Sequence, residues 1–225
     1  MTAIGQFSTL VLKDLRIEAQ SRQTLGLVIV LGLLVVTVLG LGLGANENAN
    51  TAFGATAVLW VAYLFSGVLC FEKTMGYERS DGVLGALLLA PLDRGLIYLS
   101  KLTSNLLLML AVAAVVTPVG VLFFRFDLSS APGTFALVMG LSIVGFAAVG
   151  TLFSAVISST RLQGGLLAMM IFPVTLPLVV TSTQLLLRVF RDGIPAGPAA
   201  LGVIVAFDLI FLTVSWLAFE WVLEP

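Results

Sequence analysis

Residues 25–45 read LGLVIVLGLLVVTVLGLGLGA, an apolar run without a charged or amide side chain. At about 1.5 Å per residue, a helix of this length crosses the roughly 30 Å hydrocarbon core of a bilayer. The run is too long for the apolar core of a signal peptide and no convincing cleavage pattern accompanies it, so it is read as a retained transmembrane helix. Because such runs here are continuous rather than alternating, helices are expected and not a barrel.

The rest of the chain has the same character. Of its 225 residues 59% are hydrophobic, and the mean hydropathy is +1.12. That is more apolar surface than one soluble core could hide, which makes lipid the expected solvent. The fold class is therefore an all-α integral membrane protein, one transmembrane domain with six spanning helices. The spans are expected at residues 25–45, 52–71, 102–124, 134–158, 164–187 and 199–222.

The charged residues exclude several classes of function. The net charge of −1 and the scattered cations argue against a nucleic-acid partner. The chain has no histidine and one cysteine, Cys70, so it lacks the commonest metal ligand and general base, and no metal site, bound cofactor or catalytic residue is expected in it. None of the three lysines follows a glycine, so no Walker-type phosphate loop exists and any ATP-driven motor is a separate subunit.

The first 24 residues predict an amphipathic helix that lies at the membrane interface. Four apolar side chains share one helical face: Ile4, Phe7, Val11 and Leu15. Four charged ones are expected to face elsewhere: Lys13, Asp14, Arg16 and Glu18. We call this segment the leader.

Orientation follows from the distribution of cations among the loops. Eight fall on one side: Lys13, Arg16, Arg22, Lys73, Arg79, Arg94, Lys101 and Arg161. Three fall on the other: Arg125, Arg188 and Arg191. The positive-inside rule then places both termini and the loop 72–101 in the cytoplasm.

That loop carries a charged island followed by a short helix. Asp81 is a helix N-cap candidate, Leu84, Leu87 and Leu88 share a face, and Pro91 ends the segment. A second helix start is expected at Asp93, leading through Lys101 into the third span. The short helix is either a surface that a soluble motor domain pushes or a plain connection between two spans.

The fifth span contains Pro173 and Pro177, which predict a bend or a break because each removes a backbone hydrogen bond. A polar stretch, 181–184, and the pair Arg188 and Arg191 follow. Two interpretations stay open: a pathway wall whose exit attracts an anionic group, or a packing kink with arginines anchored at the interface.

Asp208 falls about ten residues into the sixth span, well inside the hydrocarbon. It faces a polar cavity, meets another subunit, or sits protonated and hydrogen-bonded to a neighbouring helix. Several glycines allow close helix approach, which is taken first as packing within the chain. They are Gly40 and Gly44 on the first span and Gly140, Gly145 and Gly150 on the fourth.

The order and spacing of four motifs resemble the haem exporter protein B (CcmB) family, the permease subunit of the cytochrome c maturation system. The motifs are Lys13-Asp14-Leu15-Arg16-Ile17-Glu18, Asp81-Gly82-Val83-Leu84 with Leu87-Leu88-Leu89-Ala90-Pro91, Lys101, and Arg161-Leu162-Gln163-Gly164-Gly165-Leu166-Leu167 leading to Pro173 and Pro177. The resemblance covers most of the chain. Gly85 stands where the family usually has an acidic residue.

The resemblance implies a permease of the ABC-2 exporter type in the bacterial inner membrane, with a reclined leader and a cytoplasmic coupling helix. The coupling helix would include Asp81, Gly82, Leu84, Leu87, Leu88 and Pro91, and the leader would add Asp14, Arg16 and Glu18. Two copies would pair with two ATPase subunits that bind ATP and Mg, beside a haem-handling membrane subunit and a periplasmic haem chaperone. Haem is then the candidate substrate of the complex, while the missing histidines favour a force-transmitting role for this chain. The alternatives are an exporter permease for lipid, polysaccharide or drug, and a non-transporting membrane scaffold.

Overall fold

The computed structural model describes residues 3–21, 23–44, 51–80, 93–124, 127–158 and 165–222. Within these ranges the chain is almost wholly helical and has no strand. Seven α-helices follow one another, with a 3-10 turn at Leu128–Ser130 before the fifth. They are α1 (Ala3–Ser21), α2 (Gln23–Gly44), α3 (Thr51–Ser80), α4 (Arg94–Phe124), α5 (Pro132–Ser158), α6 (Leu166–Asp192) and α7 (Pro198–Val222).

Six of these helices are long and apolar enough to cross a membrane, which confirms the expected fold class. The candidate spans are Leu25–Leu43, Gly54–Thr74, Arg94–Phe124, Pro132–Ile157, Leu166–Asp192 and Pro198–Phe219. Helices α3 and α5 are the most buried spans, while α2 and α7 are the most exposed. The bundle is therefore built around α3 and α5.

Helices extend into the predicted cytoplasmic loop 72–101 from both sides. Helix α3 continues to Ser80, and α4 already begins at Arg94. Asp93 starts α4 as expected, since its Oδ1 accepts the Gly95 N–H at 2.9 Å and its carbonyl accepts the Leu96 N–H at 3.0 Å. The predicted coupling helix, Asp81–Pro91 with Gly85 inside it, lies outside the described residues.

Two phenylalanines and two glycines lock α3 against α5 in a reciprocal contact. The Phe71 ring of α3 fills the space over Gly150 of α5, and the Phe146 ring of α5 fills the space over Gly67 of α3. The two rings pack with their centroids 5.2 Å apart. Each glycine thus provides the hole for an aromatic ring, which lets the two backbones come close.

Four of the five glycines predicted to permit close packing fall into two groups, and the surroundings of Gly44 lie outside the described part of the chain. Gly145 and Gly150 meet side chains of neighbouring helices. Gly40 meets Phe123 of α4, and a Cβ added at Gly40 would lie 3.1 Å from that side chain. Gly140 has open space around it. The close approach at Gly40 is therefore packing within the chain, as the sequence suggested first.

Candidate functional site

A buried ion pair joins the leader helix α1 to α4. Lys101 Nζ lies 2.8 Å from Asp14 Oδ2, and the two side chains are only 4% and 5% exposed. Lys13 Nζ lies 3.2 Å from Asp14 Oδ1, but its side chain is 32% exposed. Removing one partner of a buried pair typically costs about 3–5 kcal/mol, because the other charge stays behind without compensation. The pair therefore fastens α1 to the bundle.

The polar face predicted for the leader is wrong for two of its acids. Asp14 and Glu18 are buried on the same side as Val11, while Leu12 and Ile17 are exposed. Positions 11, 14 and 18 share a helix face, because residues three and four apart are neighbours on a helix. The apolar pattern alone missed this because the partner of Asp14, the buried Lys101, comes from a distant span.

Glu18 extends the ion pair by one turn towards α3. Its side chain is buried, and it lies within electrostatic range of the buried Cys70 thiol. Cys70 is a free cysteine of α3, where it packs with the apolar core. Two buried acids and one buried lysine thus lie together where the leader meets α3 and α4.

A hydrogen-bonded chain joins α3, α4 and α5 one turn after the ion pair. Asn105, one turn after Lys101, donates from Nδ2 to Thr151 Oγ1 of α5 at 3.0 Å. The Thr74 hydroxyl of α3 lies 2.9 Å from Asn105 Oδ1 and 2.6 Å from the Cys70 carbonyl, and its single proton can go to either. Asn105 is 0% exposed, so these bonds replace water in an apolar surrounding.

The residues expected to meet an ATPase divide between described and undescribed positions. Arg16 is exposed on α1, on the opposite side from the buried Asp14 and Glu18. Its side chain thus points away from the bundle. The coupling residues Asp81, Gly82, Leu84, Leu87, Leu88 and Pro91 all lie outside the described residues.

Helix α6 carries both prolines of the fifth span without a break. It runs from Leu166 to Asp192 with Pro173 and Pro177 inside it, so of the two predicted outcomes the break does not occur, and a bend stays a prediction. Between them, the buried Thr175 hydroxyl donates to the Ile171 carbonyl at 2.9 Å. Both prolines are exposed. They lie on the outer side of the chain and not around an internal cavity.

The two arginines of α6 follow at its end. Arg188 and Arg191 are exposed, and Arg191 Nε lies 3.9 Å from Asp192 Oδ1. Gly193 closes the helix in the left-handed conformation, with φ of 64°, and its N–H donates to the Arg188 carbonyl. The guanidinium groups therefore stand at the same end of the bundle as the loop before α7.

Asp208 of α7 turns inwards, against α5 and α6. It is 5% exposed, and its carboxyl occupies the space over Gly145. Neither carboxyl oxygen has a hydrogen-bond partner within the described part of the chain. Of the three environments considered for Asp208, the residues described around it provide neither a polar cavity nor a hydrogen bond from a neighbouring helix.

An apolar groove of about 560 Å³ lies between α4 and α5, on the side of the bundle that carries Leu128. Its polar feature is a pair of hydroxyls, those of Tyr63 and Thr117, which lie 2.6 Å apart and satisfy each other. No charged residue lines it. The groove suits an apolar group better than an anion.

Sequence reasoning singled out Lys101 as a motif residue, and it missed Asn105, Thr74 and Thr151 entirely. Asn105 gave one usable signal, since a carboxamide deep in an apolar span needs a partner in lipid. The threonines gave none, because a threonine in a membrane helix usually satisfies its own hydroxyl with the preceding turn.

Comparison with known proteins agrees with the resemblance seen in the motifs. A family model described as "CcmB protein" matches residues 5–224, nearly the whole chain. No curated protein matches the chain at a significant level.

Proposed function

Because the chain belongs to the CcmB family, the ABC permease components of haem export in cytochrome c maturation, we propose that it is the force-transmitting subunit of that system. A separate ATPase subunit hydrolyses ATP, and this chain passes the resulting movement to haem export or to the release of haem-loaded chaperone. The chain itself carries no phosphate loop and acts as a non-catalytic permease.

The observation that carries this proposal is the buried pair of Lys101 and Asp14. Lys101 lies two turns into α4, and α4 begins directly after the segment proposed to receive the ATPase. A push on that segment reaches α4 directly. Through the ion pair it reaches α1 as well, so the leader and α4 move together.

The hydrogen-bonded chain at Asn105 spreads the same push to the bundle. The coupling segment connects the end of α3 to the start of α4 in the sequence. The hydrogen bond from Thr74 to Asn105 holds these two helices together. The bond from Asn105 to Thr151 adds α5, the most buried span. Movement is therefore delivered to a connected block and not to a single loose helix.

The proposed assembly contains two copies of this permease and two ATPase subunits in the inner membrane, with both termini cytoplasmic. A haem-handling membrane subunit and a periplasmic haem chaperone complete it. Exposure of Pro173 and Pro177 supports a pathway or moving surface formed between this chain and a membrane neighbour. Exposed Arg188 and Arg191 provide cations for an anionic group at its end.

The groove between α4 and α5 supports force transmission over binding of haem in this groove. Haem carries two carboxylates, and such groups bind where arginine or lysine is at hand. The lining has neither, and its tyrosine hydroxyl is already paired with Thr117.

Two sets of variants separate docking from transmission. Leu84→Asp with Leu87→Asp should lose the ATPase subunit from the complex purified in mild detergent, since carboxylates replace an apolar docking face. Asp14→Asn should keep the ATPase subunit but lower ATP turnover and severalfold reduce c-type cytochromes, because Lys101 loses its countercharge while the shape is kept.

Asp127→Asn is the control, since it changes an exposed carboxylate at the opposite end of the bundle. Permease levels in the membrane are measured for each variant, so that lost folding is recognised. Wild-type ATP turnover and cytochrome levels in Asp14→Asn would refute transmission through the ion pair. Normal c-type cytochromes in a deletion strain would refute the role in haem delivery and favour export of lipid, polysaccharide or drug.

A further inference from the structure

The carboxyl of Asp208 is the one strongly buried acid whose oxygens lack a partner and which the proposed mechanism does not use, within the described residues. It sits near the middle of α7 on an inward stripe that includes Ile204 and Ser215. Buried polar groups are almost always hydrogen-bonded, so one that is not needs an explanation.

The groups that meet this carboxyl over Gly145 are carbon. Asp208 Oδ1, the Phe207 ring and a Leu178 methyl group converge on the notch that Gly145 leaves on α5. Ser142, one turn away on α5, donates its hydroxyl to the Val138 carbonyl of its own helix. Nothing among these groups hydrates or pairs a negative charge.

Charged groups on the helices around Asp208 are distant. Helix α5 has no acidic or basic residue in its sequence. On α6 the ionisable groups start ten residues beyond Leu178, about 15 Å along the axis. The ionisable groups of α4 lie on the part of that helix that faces Trp216 and Phe219. These two residues are two to three turns after Asp208 on α7, and Glu220 follows them in the sequence. These distant groups are Arg188, Arg191 and Asp192 on α6, and Arg94 and Lys101 on α4.

An ionised carboxylate without partner or water in an apolar site costs so much free energy that it neutralises instead. A metal cation would not supply the neutralising charge here, because it needs several oxygen ligands and the notch offers only this carboxyl. The described residues contain no group of three or more acids or thiols that could hold a metal ion. A proton needs the carboxyl alone.

We propose that Asp208 is a proton-binding site in the membrane part of the bundle, filled while its carboxyl occupies the notch over Gly145. When α7 separates from α5, the carboxyl becomes hydrated and releases the proton. One proton is bound in the packed state and freed in the open one, so helix separation and proton release are linked. This inference does not depend on haem as the substrate.

Infrared difference spectra of the purified protein in lipid at neutral pH test the site directly. Asp208→Asn should remove the carbonyl band of a protonated carboxylic acid, whereas the control Asp127→Asn should remove carboxylate bands only. Loss of carboxylate bands in Asp208→Asn would overturn the proposal, because it would show a charged side chain in the packed bundle.

The role of the notch is tested by Gly145→Ala, which must displace the carboxyl, against Gly140→Ala, where a Cβ meets open space. The acid band should weaken or exchange with deuterium faster in Gly145→Ala only. If the two variants had the same spectra and the same rate of deuterium exchange at the acid, the proposed link between the proton and helix separation would be overturned.

Stability gives a second measurement should Gly145→Ala fold poorly. Unfolding of the wild type releases one proton, so its unfolding constant should rise up to about tenfold per pH unit where the folded form keeps that proton. Asp208→Asn should lack this contribution. Identical pH dependence of the two proteins would overturn the proposal.

Discussion

Asn105 is the residue at which three helices of the bundle share hydrogen bonds. Its carboxamide meets Thr74 of α3 and Thr151 of α5, both buried. Asn105→Leu should lower the free energy of unfolding by about 1–3 kcal/mol, because Thr151 loses its donor and Thr74 loses one of its two acceptors in an apolar site. Thermal unfolding in detergent measures the loss.

Thr103→Ala on the same helix is the matched control. Its hydroxyl bonds only to the Leu99 carbonyl of its own helix, at an exposed contact. The expected change is within about 0.5 kcal/mol. If both variants unfolded alike, the hydrogen-bonded chain at Asn105 would contribute nothing particular.

At the scale of the elements, the contact of α3 with α5 depends on two glycines that receive two phenylalanine rings. Gly150→Ala places a methyl group inside the Phe71 ring, so we expect a loss of about 1–3 kcal/mol from overpacking. Gly140→Ala on the same helix adds the same methyl group in open space and should change little. Chemical unfolding of the two variants in parallel measures the difference.

Replacing Phe71 by Leu in the Gly150→Ala background should recover part of the lost stability, since a smaller side chain leaves room for the methyl group. If the double variant lost more free energy of unfolding than the two single variants lose together, reciprocal packing would be contradicted.

Sequence could predict the elements better than the contacts between them. Apolar run length placed six spans, and Asp93 marked the start of α4, because both depend on neighbouring residues alone. The inward turn of Asp14 and Glu18 depends on Lys101, which another span contributes. The sequence left open whether α6 bends or breaks at Pro173 and Pro177, and the structure shows that it does not break. What the sequence could not provide was therefore set by partners distant in the chain.

At the scale of the whole molecule, cation counts predict that the leader lies in the cytoplasm and the turn at Leu128–Ser130 on the other side of the membrane. In a Cys70→Ala background, Ser129→Cys should react with a membrane-impermeant maleimide in intact cells. Ile17→Cys, exposed on α1, should react only after the membrane is opened. Labelling is read by mass shift.

The unmodified wild type is the control, because its cysteine is buried and should stay unlabelled in the folded protein. Reaction of Ile17→Cys in intact cells, with protection of Ser129→Cys, would show the opposite orientation. The coupling segment would then lie on the side of the membrane that a cytoplasmic ATPase cannot reach.

The pair of Lys101 and Asp14 also dictates an order of assembly. The leader leaves the ribosome before α4, and the lysine that neutralises Asp14 is made only after the two spans between them, α2 and α3. Until then the acids of α1 must remain in water or among lipid headgroups, and the leader cannot take its final place. Docking of α1 is thus a late event in biogenesis, and a truncated chain ending before α4 should leave its leader accessible to protease.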